Sequence, residues 1–170
     1  PNLKETTKVY FFLGSSIGNF YNKEEIKFLK KLRKSISKNN YLFIGVDLIK
    51  NKTTLDKAYN DKNGYTAKFS LNLINIINRT QKTNLNINDF YYHGYYNTKK
   101  KCIHGFLVSK INQNFKIGNK KFFLKKSERI LVEISNKFTI QSFKRLASNT
   151  GWTTERVWLD NQKYYSLFLL

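Results

Sequence analysis

Two unbroken apolar runs, Val9 to Leu13 and Tyr41 to Ile49, flank a stretch whose apolar residues recur at helical spacing. Continuous runs of this length predict strands covered on both faces, as in a parallel sheet, and Val9 to Leu13 reads as a central one. Between them Ile26, Leu29, Leu32 and Ile36 fall on one stripe with lysines opposite, which predicts an amphipathic helix over 23–37. Asn22 is its expected cap, with Glu25 three residues on as the reciprocal acceptor. Strand, helix and strand in this order fit one right-handed crossover. Gly14 stops the first run, and Ser15, Ser16, Gly18 and Asn19 form a polar crest at the strand's carboxyl end, the edge at which open α/β sheets bind ligands. An ordinary turn from strand to helix accounts for the same residues. Asp47, near the carboxyl end of the second run, needs partners if buried, so it either braces a loop or faces a pocket.

After residue 50 the pattern changes. Leu55 to Tyr59 predicts a short helix, Asn60 to Gly64 a turn, and Tyr65 to Arg79 a longer helix whose inner face carries Phe69, Leu73, Ile76 and Ile77. Thr80 to Asn88 reads as a solvated linker. From Asp89 the period shortens towards two: Phe90 to Tyr96 predicts a strand or strand pair, Cys102 to Ile111 an alternating strand, and 114–124 a hairpin about Gly118-Asn119. Thr139 is the expected cap of a helix over 140–148 that ends at Gly151, and Trp152 to Leu159 and Tyr164 to Leu170 predict a closing antiparallel pair.

Composition narrows the chemistry. The 170 residues are 41% hydrophobic and 16% aromatic, which excludes a disordered chain. The formal charge of +20 would draw in nucleic acid or an anionic surface. However, only five of the basic residues are arginine, and lysine and asparagine are spread along the whole length, as a general compositional drift would also produce. Phe90, Tyr91, Tyr92, Tyr95 and Tyr96 ahead of Lys99 to Lys101 make the best local case for stacking single-stranded nucleic acid, and a packed sheet face with a lysine turn explains the same residues. One cysteine, Cys102, permits no internal disulfide, and with two histidines, His93 and His104, no metal site is expected. The expected location is cytoplasmic, with no membrane partner. GxGxxG and GxSxG are both absent. Glu133 and Ser135, two apart in VEISNKF, offer an acceptor and a hydroxyl that could hold an imidazole or ammonium, or simply form a solvated edge. Tyr59 places a phenol beside the Asn60 turn.

Taken together, FLGSSIGNF (12–20), LFIGVDLIK (42–50), the segment from Leu55 to Arg79, ERILVEISNKF (128–138), and GW with VWLD ahead of YSLFLL resemble the latter part of the histidine-specific S-adenosylmethionine-dependent methyltransferases of the ergothioneine pathway. The resemblance implies an α/β fold, a partial S-adenosylmethionine-dependent methyltransferase (Rossmann-like) sheet with an inserted α+β lobe. The core would comprise 1–50 and 136–170, and the substrate-binding lobe 51–135. It implies methyl transfer to the α-amino nitrogen of histidine or a related small amine. Carried over by motif, Gly14 and Asn19 line the amino-acid site, Tyr59 grips the same end of the substrate, and Glu133 with Ser135 recognises the imidazole. S-adenosyl-L-methionine is the implied cofactor, yet the glycine-rich loop and ribose-binding acid of the family are expected ahead of Pro1. The chain is therefore read as a fragment, half of a split protein, or a remnant without catalysis, and is not expected to bind the cofactor alone. The alternative is a basic nucleic-acid-binding module.

Overall fold

A computed structural model describes residues 7–170, so residues 1–6 of the polar leader lie outside it. The described residues divide into two compact units: 7–50, 99–102 and 134–170 form one, and 51–98 and 103–133 the other.

In the first unit, β1 (Val9–Phe12) pairs in parallel with β2 (Tyr41–Asp47), which pairs antiparallel with β9 (Tyr165–Leu169), and β9 with β8 (Arg156–Leu159). The strand order is β1-β2-β9-β8, a mixed sheet. Val9 to Leu13 reads as a central strand whose neighbours on one side are not supplied here, with an exposed edge expected beside it; among the described strands β1 lies at the edge, and Phe11 is 64% exposed. Its apolar run is long enough for burial, but only β2 pairs with it. The inner strands are β2 and β9, and Leu42, Ile44 and Val46 of β2 are buried with Phe168 of β9, Leu29 of α1 (Glu24–Ser35), and Phe143 and Ala147 of α4 (Ile140–Asn149). Trp152 closes this core, donating from its indole N–H to Leu29 O at 3.1 Å while Arg33 lies over the ring.

The cap of α1 also differs from expectation. Asn22 and Lys23 both take left-handed backbone, Lys23 is the capping residue, and no side chain accepts from the first turn. Glu24 and Glu25 in that turn favour the helix electrostatically instead. By contrast Thr139 caps α4 as expected, in a reciprocal capping box with Ser142. The strand read over 152–159 is shortened to its last four residues, because Trp152 is drawn into the core.

In the second unit, α2 (Lys52–Tyr59) is capped by Asn51, and α3 spans Tyr65–Gln81. The inner face of α3 is set by Ser70 and Ile74, with Leu71, Leu73 and Ile77 partly covered; Phe69, assigned inward from the sequence, is 82% exposed. Several apolar stripes compete on this helix, and packing selects the one facing Phe90 and Leu107. The expected linker 80–88 is tied down: Asn78 accepts from Leu85 N–H and Thr83 and donates to Leu85 O, which buries Leu85. A three-stranded sheet runs β3 (Phe90–Asn97), β4 (Cys102–Ser109), β7 (Arg129–Asn136). β4 is buried almost throughout rather than alternating, as the middle strand of three must be. β5 (Gln113–Ile117) and β6 (Lys120–Leu124) make the expected hairpin, turning at Gly118 with φ +56°.

Candidate functional site

Within the first unit the chain leaves β1 through Gly14 and Ser15, both left-handed, into a short 3-10 turn, Ser16–Asn19. Two devices hold this crest. Ser15 Oγ accepts from Asp47 N–H at 2.7 Å, fastening it to the end of β2. Asn136 Nδ2 donates to Gly18 O at 3.0 Å and Phe20 O at 2.9 Å, one carbonyl on each side of Asn19. The crest fits only because Gly18 has no side chain: a Cβ there would meet Asn136 O at 2.6 Å and Ser135 Oγ at 3.5 Å. Asn19 itself is exposed, held by its neighbours' carbonyls.

Asp47 anchors the same edge. Lys50 pairs with its Oδ1, and Lys137 Nζ lies 2.5 Å from Oδ2. Lys137 is placed there by the chain leaving β7, where Phe138 N–H donates to Asp47 O at 3.2 Å and Ile49 N–H to Phe138 O at 2.9 Å. Its side chain is 1% exposed, and Nζ also donates to Ser135 Oγ at 2.9 Å. Gly14, Asn19, Asp47 and Ser135 thus all belong to one polar edge of the first unit.

Tyr59 and Glu133 belong to the second unit. The Tyr92 hydroxyl donates to Glu133 Oε2 at 3.2 Å, and Gly94 and Gly105 leave it room: a Cβ at Gly94 would meet Tyr92 Oη at 2.7 Å, and one at Gly105 would lie 2.9 Å from both Tyr92 Oη and Glu133 Cβ. Burial, then the Glu133 carboxylate, then Tyr59 push the Tyr92 phenol well above its ordinary value, so it stays a donor. Glu133 thus acts on Tyr92 by hydrogen bond and charge, and Tyr59 by charge. Beside it, Asn60 Nδ2 donates to Gly94 O, and Asp56 accepts from Tyr96 N–H. Of the aromatic run, Phe90 and Tyr96 are buried in the fold and offer no stacking surface.

Sequence reasoning missed Lys137, Asn136, Tyr92 and Gly105. Lys137, two residues beyond VEIS, left no signal tying it to Asp47. Tyr92 left none among eleven tyrosines.

The sequence profile of a family described as histidine-specific methyltransferase, SAM-dependent, matches residues 1–170. The chain belongs to this family. S-adenosylmethionine is accordingly the family's cofactor, and the fold is the mixed α/β arrangement of a partial methyltransferase sheet with helices. The histidine N-alpha-methyltransferase of Mycobacterium tuberculosis (strain CDC 1551 / Oshkosh) is 28% identical over 164 residues, covering 95% of this chain and 51% of that protein. Ergothioneine biosynthesis protein 1 of Neurospora crassa is 42% identical over 65 residues, 38% of this chain and 7% of its own length. A solved S-adenosylmethionine-dependent methyltransferase from Clostridium acetobutylicum ATCC 824 superposes with a TM-score of 0.47 at 8% identity, over 99% of this chain and 60% of that one. The chain spans about half the length of the mycobacterial relatives it matches. Among the described residues no helix is long and apolar enough to cross a membrane, and no group of three or more His, Cys, Asp or Glu is placed to hold a metal.

The residues present do not fit the cofactor. Asp47, the acid at the end of β2, is already shared by two lysines and is not left for a ribose, and the crest after β1 lacks the GxGxxG pattern.

Proposed function

We propose that this chain supplies the acceptor-binding part of an S-adenosylmethionine-dependent N-methyltransferase acting on the α-amino group of histidine or a related small amine. The observation that carries the reading is the Tyr92–Glu133 pair with Tyr59 beside it, in a chain that belongs to a histidine-specific family. Tyr92 occupies one oxygen of Glu133, and the other has no hydrogen-bond partner among the described residues, so it can accept from an imidazole N–H. Asn19, exposed on a rigid crest, presents an amide to the amino-acid end. Gly14 lets the backbone pass beneath it, and Tyr59 supplies a phenol for that same end. S-adenosylmethionine supplies an electrophilic methyl group when bound. The work of this chain is to hold the amine neutral and in line, and positioning of this kind is worth several orders of magnitude in rate. A substrate lacking the ring leaves Glu133 unpaired, which is the basis of selectivity.

The cofactor-binding half is proposed as the partner, a further segment of the same protein or a separate polypeptide. Three features of the first unit support it: the open edge of β1, the exposed Phe11 stacked on Phe43, and Trp158 stacked on the other side of Phe43.

Calorimetry with histidine, on this chain alone and supplied with the remaining half of the mycobacterial relative, tests the proposal. Glu133→Gln is expected to weaken histidine binding by about 10- to 100-fold, the value of a hydrogen bond to a charged group. No methyl transfer by the complemented protein to any amino acid or amine overturns it.

A further inference from the structure

We propose that Lys137 is a positioning residue that fixes Ser135 as a hydrogen-bond donor, so that the site takes a ring whose facing nitrogen is unprotonated; this rests on the acceptor-binding reading above. A serine hydroxyl alone has no fixed polarity, since it donates once and accepts twice. An ammonium has three donors and no lone pair, so Lys137 Nζ, 2.9 Å from Ser135 Oγ, can only donate to it. The Ser135 hydrogen must turn away from Nζ, and no acceptor among the described residues takes it. Lys137 cannot swing aside, because its side chain is buried, Asp47 holds its head, and Lys50 holds the other oxygen of Asp47. Lys137 contacts Ser135 directly, and Asp47, held by Lys50 on its other oxygen, lies behind Lys137. The crest residues Ser15 to Asn19 bring no ionisable side chain, and Glu133, two positions earlier on β7, is engaged with Tyr92.

The consequence is a protonation filter. Ser135 donates to the lone pair of a neutral imidazole nitrogen and faces the N–H of an imidazolium donor to donor, with the Lys137 charge behind it. Histidine is therefore taken with its ring neutral, although its free ring titrates near about 6.5.

The test uses the complemented protein and histidine labelled with 15N in the ring. At about pH 6, where free histidine is largely protonated, ring nitrogen shifts of the bound amino acid are expected to report a neutral ring. The KM for histidine should rise as pH falls through the free ring's pKa while kcat changes little. Lys137→Gln, whose amide oxygen can accept from Ser135, should raise KM about tenfold, flatten that pH dependence and admit a protonated ring. Against Ser135→Ala, the Lys137 substitution should add nothing further. Lys137→Arg, which retains the donor and the charge, should restore the wild-type pH profile. Should Lys137→Gln fail to fold, the neutral-ring signature in the wild-type protein decides the matter. A protonated bound ring, or a Lys137→Gln effect of equal size with and without Ser135, overturns the proposal. If Ser135→Ala leaves KM unchanged, the placement of the ring at Ser135 is what fails, a different result from a Ser135 effect that is independent of Lys137.

Discussion

The two units secure their polar residues by different forces. In the first, a carboxylate is shared between two ammonium groups, Asp47 with Lys50 and Lys137, and backbone carbonyls of the crest are clamped by Asn136. In the second, one phenol holds one carboxylate, Tyr92 on Glu133, over glycines that keep the space clear. The first arrangement has buried charges, so it is rigid and intolerant of losing a member. The second depends on a proton staying on Tyr92 and on a missing side chain at Gly105.

The largest expected effect lies in the first unit. Asp47→Ala removes the carboxylate paired with Lys137, whose side chain is 1% exposed, and is expected to cost about 3–5 kcal/mol, as breaking a buried pair does. Urea unfolding measures it. A loss no larger than that of an exposed charge would show that the network does not hold the crest, and the contrast between the units would collapse. Next comes Gly105→Ala, whose Cβ would lie 2.9 Å from both Tyr92 Oη and Glu133 Cβ; overpacking here is expected to cost about 1–3 kcal/mol and to weaken histidine binding together with stability.

Tyr92→Phe separates the hydrogen bond from the packing. It is expected to cost about 1–2 kcal/mol near neutral pH. The phenol's pKa is raised in the folded state above its ordinary value, so the native state resists ionisation that the unfolded chain accepts. The contribution of Tyr92 is thus fully present below about pH 10 and is lost as pH rises towards the folded value. Wild-type stability should fall through this alkaline window, and Tyr92→Phe should fall less. Parallel alkaline curves for the two proteins would remove the phenol from its role.

What the sequence made legible follows from where the determining contacts lie. Helices and strands with one dominant stripe were readable, as were Thr139 as a cap and the Gly118 turn, because those choices are local. The helix α3 carries apolar residues on several faces, so the choice of Ile74 over Phe69 is made by Phe90 and Leu107, far along the chain. At the site, Asp47 announced that it needed partners but not that Lys137 was one, because the pairing comes from β7 leaving beside β2. Asn19, Tyr59, Glu133 and Ser135 stand out in the pattern, but the roles expected of them come from the family resemblance. Their supports, Asn136, Tyr92 and Lys137, carry no motif and appear only with the geometry.

The smallest expected effect sharpens the comparison on the helix caps. In the first unit α4 is capped by a hydroxyl, Thr139 accepting from Ser142 N–H at 3.0 Å, and no proton titrates there. In the second, α3 is entered through Gly64 in a left-handed conformation, and the Asp61 carboxylate accepts from Tyr65 N–H at 2.8 Å and Thr66 N–H at 2.9 Å. Those backbone donors, Thr66 first and then Tyr65, lower the Asp61 pKa below the ordinary aspartate value. A depressed folded pKa gives a contribution that is present above the unfolded value and is lost as pH falls through the folded one. Thr139→Ala should therefore cost about 1 kcal/mol at neutral and acid pH alike, a shift of about 2–4 °C in melting temperature. The first turn of α3 should instead fray only on acidification below the ordinary aspartate range, and Asp61→Asn should remove that dependence while retaining an acceptor. Amide chemical shifts of Tyr65 and Thr66, followed against those of Ser142 as pH is lowered, distinguish the two caps. Equal acid response at both would mean that the second unit is not the more proton-sensitive of the pair.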